Sequence, residues 1–134
     1  ELSTDEAGFI ALHLVNAEME EEVGNIYELT KLMQEITNIV KYYFNVSFDE
    51  DSVYFYRFST HLKFFCYRLL HQREVVENDD EELYAVIKKK YLNAYRCVEK
   101  ISLYLNENYD YQVSNEERLY LTIHIARIVQ TTEQ

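Results

Sequence analysis

The chain has 134 residues, a formal net charge of −11, 48% hydrophobic residues, two Gly and no Pro. Such an acidic surface repels phosphate backbones, which argues against direct nucleic-acid binding by this segment. No apolar run approaches the roughly 18 residues needed to cross a bilayer, and no basic start precedes an apolar stretch, so neither a membrane span nor a signal peptide is expected. Helix interiors reject Pro by about 3 kcal/mol and Gly by about 1 kcal/mol, so the near absence of both predicts an all-α bundle.

In chain order, Ser3-x-x-Glu6 is a capping box that opens a helix through about Glu22. Phe9, Ile10, Ala11, Leu12, Leu14, Val15 and Ala17 leave that helix almost no polar face, so it needs cover on several sides. Gly24-Asn25 breaks the pattern. Ile26, Leu29, Leu32, Met33, Ile36, Ile39, Val40 and Tyr43 then recur at three and four, marking an amphipathic helix to about Asn45. Asp49-Glu50-Asp51-Ser52 starts a helix that runs to about Arg73, and the acidic run Glu77 to Glu82 reads as a solvated loop and helix start. A short helix from Leu83 to about Tyr91 leads into another from about Asn93 to Glu107. After the turn Asn106 to Asp110, Ser114-x-x-Glu117 forms a second capping box, and the last helix reaches about Gln130. Cys66 and Cys97 form no C-x-x-C and read as reduced core thiols of a cytosolic protein.

The two capping boxes belong to a longer self-match. Leu2 to Leu14 and Val113 to Ile125 share a Ser, an acidic pair and a histidine in the same register. Self-similarity at domain-sized spacing marks a tandem array. The expectation is therefore that residues 1–22 are the last helix of one module with its linker, that 23–134 are the next module, and that Glu1 begins a piece of a longer protein.

Any chemistry sits on the histidines. At about 100° per residue, His61 lies about 60° from the core stripe Phe58, Leu62, Phe65 and Leu69, with Arg57 and Arg68 within about 40° of it. Two guanidinium groups beside one imidazole outline an anion site. In the last helix His124 lies about 60° from the stripe Leu121, Ile125 and Ile128, with Arg127 next along. A histidine at the edge of an apolar stripe is usually a hydrogen-bonded, half-buried residue. What distinguishes His13 and His124 is that each stands at the same distance from the same cap. His71, near a helix end, reads as a surface residue that complements the helix dipole.

Three segments carry a resemblance: Asp5 to Ala17 around His13, Arg57-Phe-Ser-Thr-His61-Leu-Lys-Phe-Phe-Cys-Tyr-Arg68-Leu, and Tyr120-Leu-Thr-Ile-His124-Ile-Ala-Arg127. Together they resemble the phosphotransferase-system regulation domains (PRDs) of BglG/SacY-type bacterial transcriptional antiterminators, across the whole chain. Ile87 to Tyr95 resembles the family too, although a Pro is usual where Leu92 stands. The resemblance implies a cytoplasmic, non-enzymatic regulator without a cofactor or metal, preceded by an RNA-binding domain. It implies that His61 and His124 are the phosphoacceptors of the second PRD, with phospho-HPr as donor. His13 would be the second acceptor of the first PRD, on which a sugar-specific enzyme II acts. Phosphorylation of the second PRD would favour an active homodimer that lets the RNA-binding domain hold its hairpin. Arg57, Arg68 and Arg127 are the candidates to meet the phosphoryl charge.

Other readings are a PRD joined to a DNA-binding activator, and an unmodified helical dimerisation module in which Leu119, Ile123 and Ala126 make a second apolar face on the last helix. A bundle metalloprotein needs Glu-x-x-His on facing helices. Ile10, Phe58, Arg68 and Leu121 occupy the position three before each His instead.

Overall fold

A computed structural model describes residues 25–71 and 80–133, which form five α-helices: α1 (25–44), α2 (Val53–Leu70), α3 (Glu81–Lys90), α4 (Leu92–Tyr109) and α5 (Asn115–Glu133). The segment assigned to the upstream module, with His13 and the first capping box, lies outside the described residues, as does the first half of the acidic run, Glu77 to Asp79.

The helices start and stop where local chemistry says they should. The Ser52 hydroxyl accepts from Phe55 N–H at 3.1 Å, and the Asp80 carboxylate accepts from Leu83 N–H at 3.0 Å. Each satisfies one of the orphan donors of a first helical turn. The capping box of α5 is complete: Glu117 N–H donates to Ser114 Oγ, and Ser114 N–H donates to Glu117 Oε1, both at 3.1 Å. Glu117 is buried, and the Tyr111 hydroxyl donates to its other oxygen at 2.7 Å. Ser114→Ala is expected to cost about 1 kcal/mol in urea unfolding. An unchanged midpoint would show the cap to be redundant.

Both Gly residues precede the described helices, so left-handed helix ends fall to Asn45 (φ 54°) and Asp110 (φ 51°). Asn and Asp tolerate that region better than other side chains. Val46 N–H then reaches back to Lys41 O at 3.1 Å, and Tyr111 N–H to Leu105 O at 3.3 Å, which closes each helix end. The break between α3 and α4 needs no Pro at Leu92. Tyr91 alone leaves helical geometry, at φ −122° and ψ 54°, while its ring packs partly buried against the core.

The core is built from one face each of α1, α2 and α4 and from most of α5. Leu32, Ile36 and Val40 of α1 meet Leu62, Phe65 and Cys66 of α2, Val98, Ile101 and Leu105 of α4, and Leu121 and Ile125 of α5. Burying a Leu, Ile or Phe side chain contributes about 1.5–3 kcal/mol. Cys66 and Cys97 are buried free thiols, and burial pushes the Cys97 thiol up to about 12. Tyr109 and Tyr104 of α4 both donate to the carboxylate of Glu35, tying α1 to α4.

Helix α5 packs against α2, α3 and α4. That explains its two apolar faces: Ala126 is buried and Leu119 and Ile123 are half-buried within this one domain. The second face is therefore partly covered inside the module. Helix α3 buries none of its own residues fully and lies as a flap on α4 and α5.

Candidate functional site

The first half of α2 and the last half of α5 run past each other in opposite directions, and their histidines meet at the crossing. The rings of His61 and His124 stack with centroids 3.8 Å apart and planes 18° from parallel. Tyr120, one turn before His124, completes a three-ring cluster. Its ring stands edge-on to both imidazoles, with centroids 4.6 Å from His124 and 5.6 Å from His61. The Tyr120 hydroxyl lies 2.8 Å from His61 Nδ1 and 3.1 Å from the His61 carbonyl oxygen.

The histidine pair opens onto a cavity of about 290 Å³. Tyr54, Arg57, Phe58 and His61 of α2 line it on one side, and His124, Arg127, Ile128, Gln130 and Thr131 of α5 on the other. No Asp or Glu is among these lining residues. In a chain of net charge −11, this is a local reversal of sign. Two exposed guanidinium groups at the rim of a pocket floored by imidazoles suit an anion with several acceptor oxygens.

Of the three arginines singled out in the sequence, the fold brings Arg57 and Arg127 to the cavity and leaves Arg68 behind it. The Arg68 guanidinium lies over the face of Tyr120, 5.6 Å from the ring centroid, and its Nε is buried without a hydrogen-bond partner among the described residues. The reason is axial. Arg57 precedes His61 by four residues, about 6 Å, whereas Arg68 follows it by seven, about 10.5 Å the other way. A shared helical face does not mean a shared cavity. Tyr120 was missed as a site residue in the sequence, although it opens the segment Tyr120 to Arg127; only the crossing of α2 and α5 brings it to His61. His71 is the exposed C-cap of α2, with Nδ1 bonded to Tyr67 O at 2.8 Å.

Burial, then the nearby charges of His61 and Arg127, push the His124 pKa down from 6.5 to about 4. His124 is therefore neutral at pH 7, with a lone pair available. Since the folded value lies below the unfolded one, the unfolded chain takes up the proton first as pH falls. This contribution to stability is complete above about pH 6.5 and is lost progressively toward pH 4. NMR titration is expected to find His124 with a midpoint well below 6.5; a midpoint at or above 6.5 would contradict the buried, cation-flanked setting. Among the described residues, no three His, Cys, Asp or Glu side chains are grouped to hold a metal ion.

A PRD domain profile matches residues 34–128, from within α1 to the far side of the histidine pair in α5. The chain belongs to the PRD family. This PRD is 52% identical over 128 residues to the transcription antiterminator LicT of Bacillus subtilis (strain 168), an alignment that covers 96% of the chain and 46% of the relative. It is 49% identical over 127 residues to the beta-glucoside operon antiterminator of Dickeya chrysanthemi, covering 95% of the chain and 44% of the relative. The chain thus spans about half the length of the curated relatives it matches. No helix among the described residues of the PRD is long and apolar enough to cross a membrane.

Proposed function

We propose that this PRD is the regulatory part of a bacterial transcriptional antiterminator, in which His61 and His124 accept phosphoryl groups from phospho-HPr of the sugar phosphotransferase system. In this reading residues 23–134 are the second of two PRDs and residues 1–22 end the first, with His13 as its acceptor. The chain is a cytoplasmic sensor without turnover of its own. Phosphorylation controls homodimerisation, and through it RNA binding by a separate N-terminal domain. A sugar-specific enzyme II acts on the first PRD. The names of the relatives support the antiterminator assignment over a DNA-binding activator.

One observation carries the reading: the stacked His61 and His124 rings floor a cavity that Arg57 and Arg127 line and no Asp or Glu lines. Stacked rings with centroids 3.8 Å apart leave no room for a phosphoryl group between them. A group bringing about −1.5 to −2 charge must project into the cavity toward Arg57 and Arg127, or drive α2 and α5 apart. Either result turns a local charge into a change of helix packing. Incubation with phospho-HPr, followed by mapping of acid-labile phosphate, is expected to label His61 and His124. Absence of label on both removes the proposal.

A further inference from the structure

The hydrogen-bond arithmetic around Tyr120 assigns a tautomer to His61. The Tyr120 hydroxyl has one hydrogen and two neighbours, His61 Nδ1 at 2.8 Å and the His61 carbonyl oxygen at 3.1 Å. A carbonyl only accepts, so its contact is a hydrogen bond only when Tyr120 donates to it. The phenol oxygen is then left as an acceptor, and Nδ1 must supply the second hydrogen. The opposite arrangement, with Tyr120 donating to Nδ1, turns phenol lone pairs on the carbonyl oxygen at 3.1 Å and leaves one of the two contacts repulsive. Both contacts are satisfied only with the imidazole proton on Nδ1. Arg68 braces this arrangement from the other side, its guanidinium held over the Tyr120 ring.

We propose that Tyr120 is a positioning residue that holds the proton of His61 on Nδ1, so that Nε2 presents its lone pair to an incoming phosphoryl group. The inference rests on the phosphoacceptor reading of His61. Nε2 is the nitrogen of that ring with no hydrogen-bond partner among the described residues, and the ring lines the cavity with Arg57 and Arg127. In the transfer, the Nε2 lone pair forms a new P–N bond while the P–N bond of the donor phosphohistidine breaks and its electron pair returns to the donor ring. No proton leaves His61. The ring that results is cationic, and its Nδ1–H already points at the phenol oxygen, which accepts it. A tyrosine reached from a different helix thus decides which nitrogen of His61 reacts.

The test begins with the wild-type 134-residue chain, ¹⁵N-labelled, so that no variant has to fold. Long-range ¹H–¹⁵N spectra are expected to show the His61 proton on Nδ1; a proton on Nε2 overturns the inference. In Tyr120→Phe, the same spectra should show mixed tautomers. Phosphorylation of His61 by phospho-HPr should slow by about tenfold, the rate equivalent of one hydrogen bond. Phosphorus NMR should show product at Nδ1 as well as Nε2. A Tyr120→Phe chain labelled at the wild-type rate and at Nε2 alone would also overturn it. If wild-type His61 shows the Nδ1 proton yet takes no label, the phosphoacceptor reading fails and the tautomer assignment stands.

Discussion

Replacing Arg57 and Arg127 together by Gln is expected to slow phosphorylation of the histidine pair by about 100-fold while the fold persists. Both guanidinium groups are exposed at the rim of the cavity, and neither takes part in a salt bridge among the described residues. Their removal leaves no buried partner uncompensated, and surface substitutions of this kind cost little stability. A charge-assisted hydrogen bond to a phosphoryl oxygen contributes about 1.5–3 kcal/mol when formed, less where water competes. Discounted for exposure, each arginine supplies about a factor of ten in rate. Two further readouts separate this from a general loss of structure. The rate should become less sensitive to ionic strength, because two steering charges are gone. The His124 pKa should rise from about 4, since the charge of Arg127 is one of its causes. Unchanged rates in the double variant would mean that the cations serve another purpose. Arg68→Gln, by contrast, removes a group that reaches the histidines only through Tyr120 and should act mainly through that ring.

Phe65→Ala is expected to destabilise the domain by about 3–5 kcal/mol. Phe65 is fully buried, the largest such side chain described, and its ring meets Tyr111 edge-on with centroids 6.4 Å apart. Truncation forfeits the transfer energy of the ring and leaves a cavity between α1, α2, α4 and α5 that rigid neighbours cannot fill. Small domains hold about 5–15 kcal/mol in total, so this one change removes a large fraction. The consequence for function is indirect but testable. Phe65 lies one turn after His61 on the same helix, and the stacked rings depend on α2 keeping its seat against α5. Urea unfolding should show the loss, and histidine NMR signals should broaden or shift as the pair loosens. A loss below 1 kcal/mol would mean that the core can collapse around the gap and that α2 is held by other contacts.

The parts legible in the sequence were those decided by near neighbours. Recurrence at three and four predicted α1, the acidic turn Asp49 to Ser52 predicted the start of α2, and a capping box predicted that of α5. The Ser114 and Glu117 pairing was readable because its partners stand three apart, and the helix termini fell within a few residues of expectation. The break at Tyr91 shows the limit of family pattern: the usual Pro is absent at Leu92, yet the chain still turns at Tyr91, whose half-buried ring packs against the core.

What the amino-acid order determined by itself was the all-α class, the capped helices, two buried thiols and a histidine on each of two apolar-edged helices. Those features follow from periods and caps that act over a turn or two of backbone. Tertiary structure alone decided that His61 and His124 stack, that Tyr120 bridges to His61, and that Arg68 stands behind the ring cluster while Arg57 and Arg127 face the cavity. A helical wheel gives an angle but neither an axial height nor the partner helix that lies opposite. Those come from how α2 and α5 cross, and the crossing is set by the packing of Leu62, Phe65, Leu121 and Ile125 in one shared core.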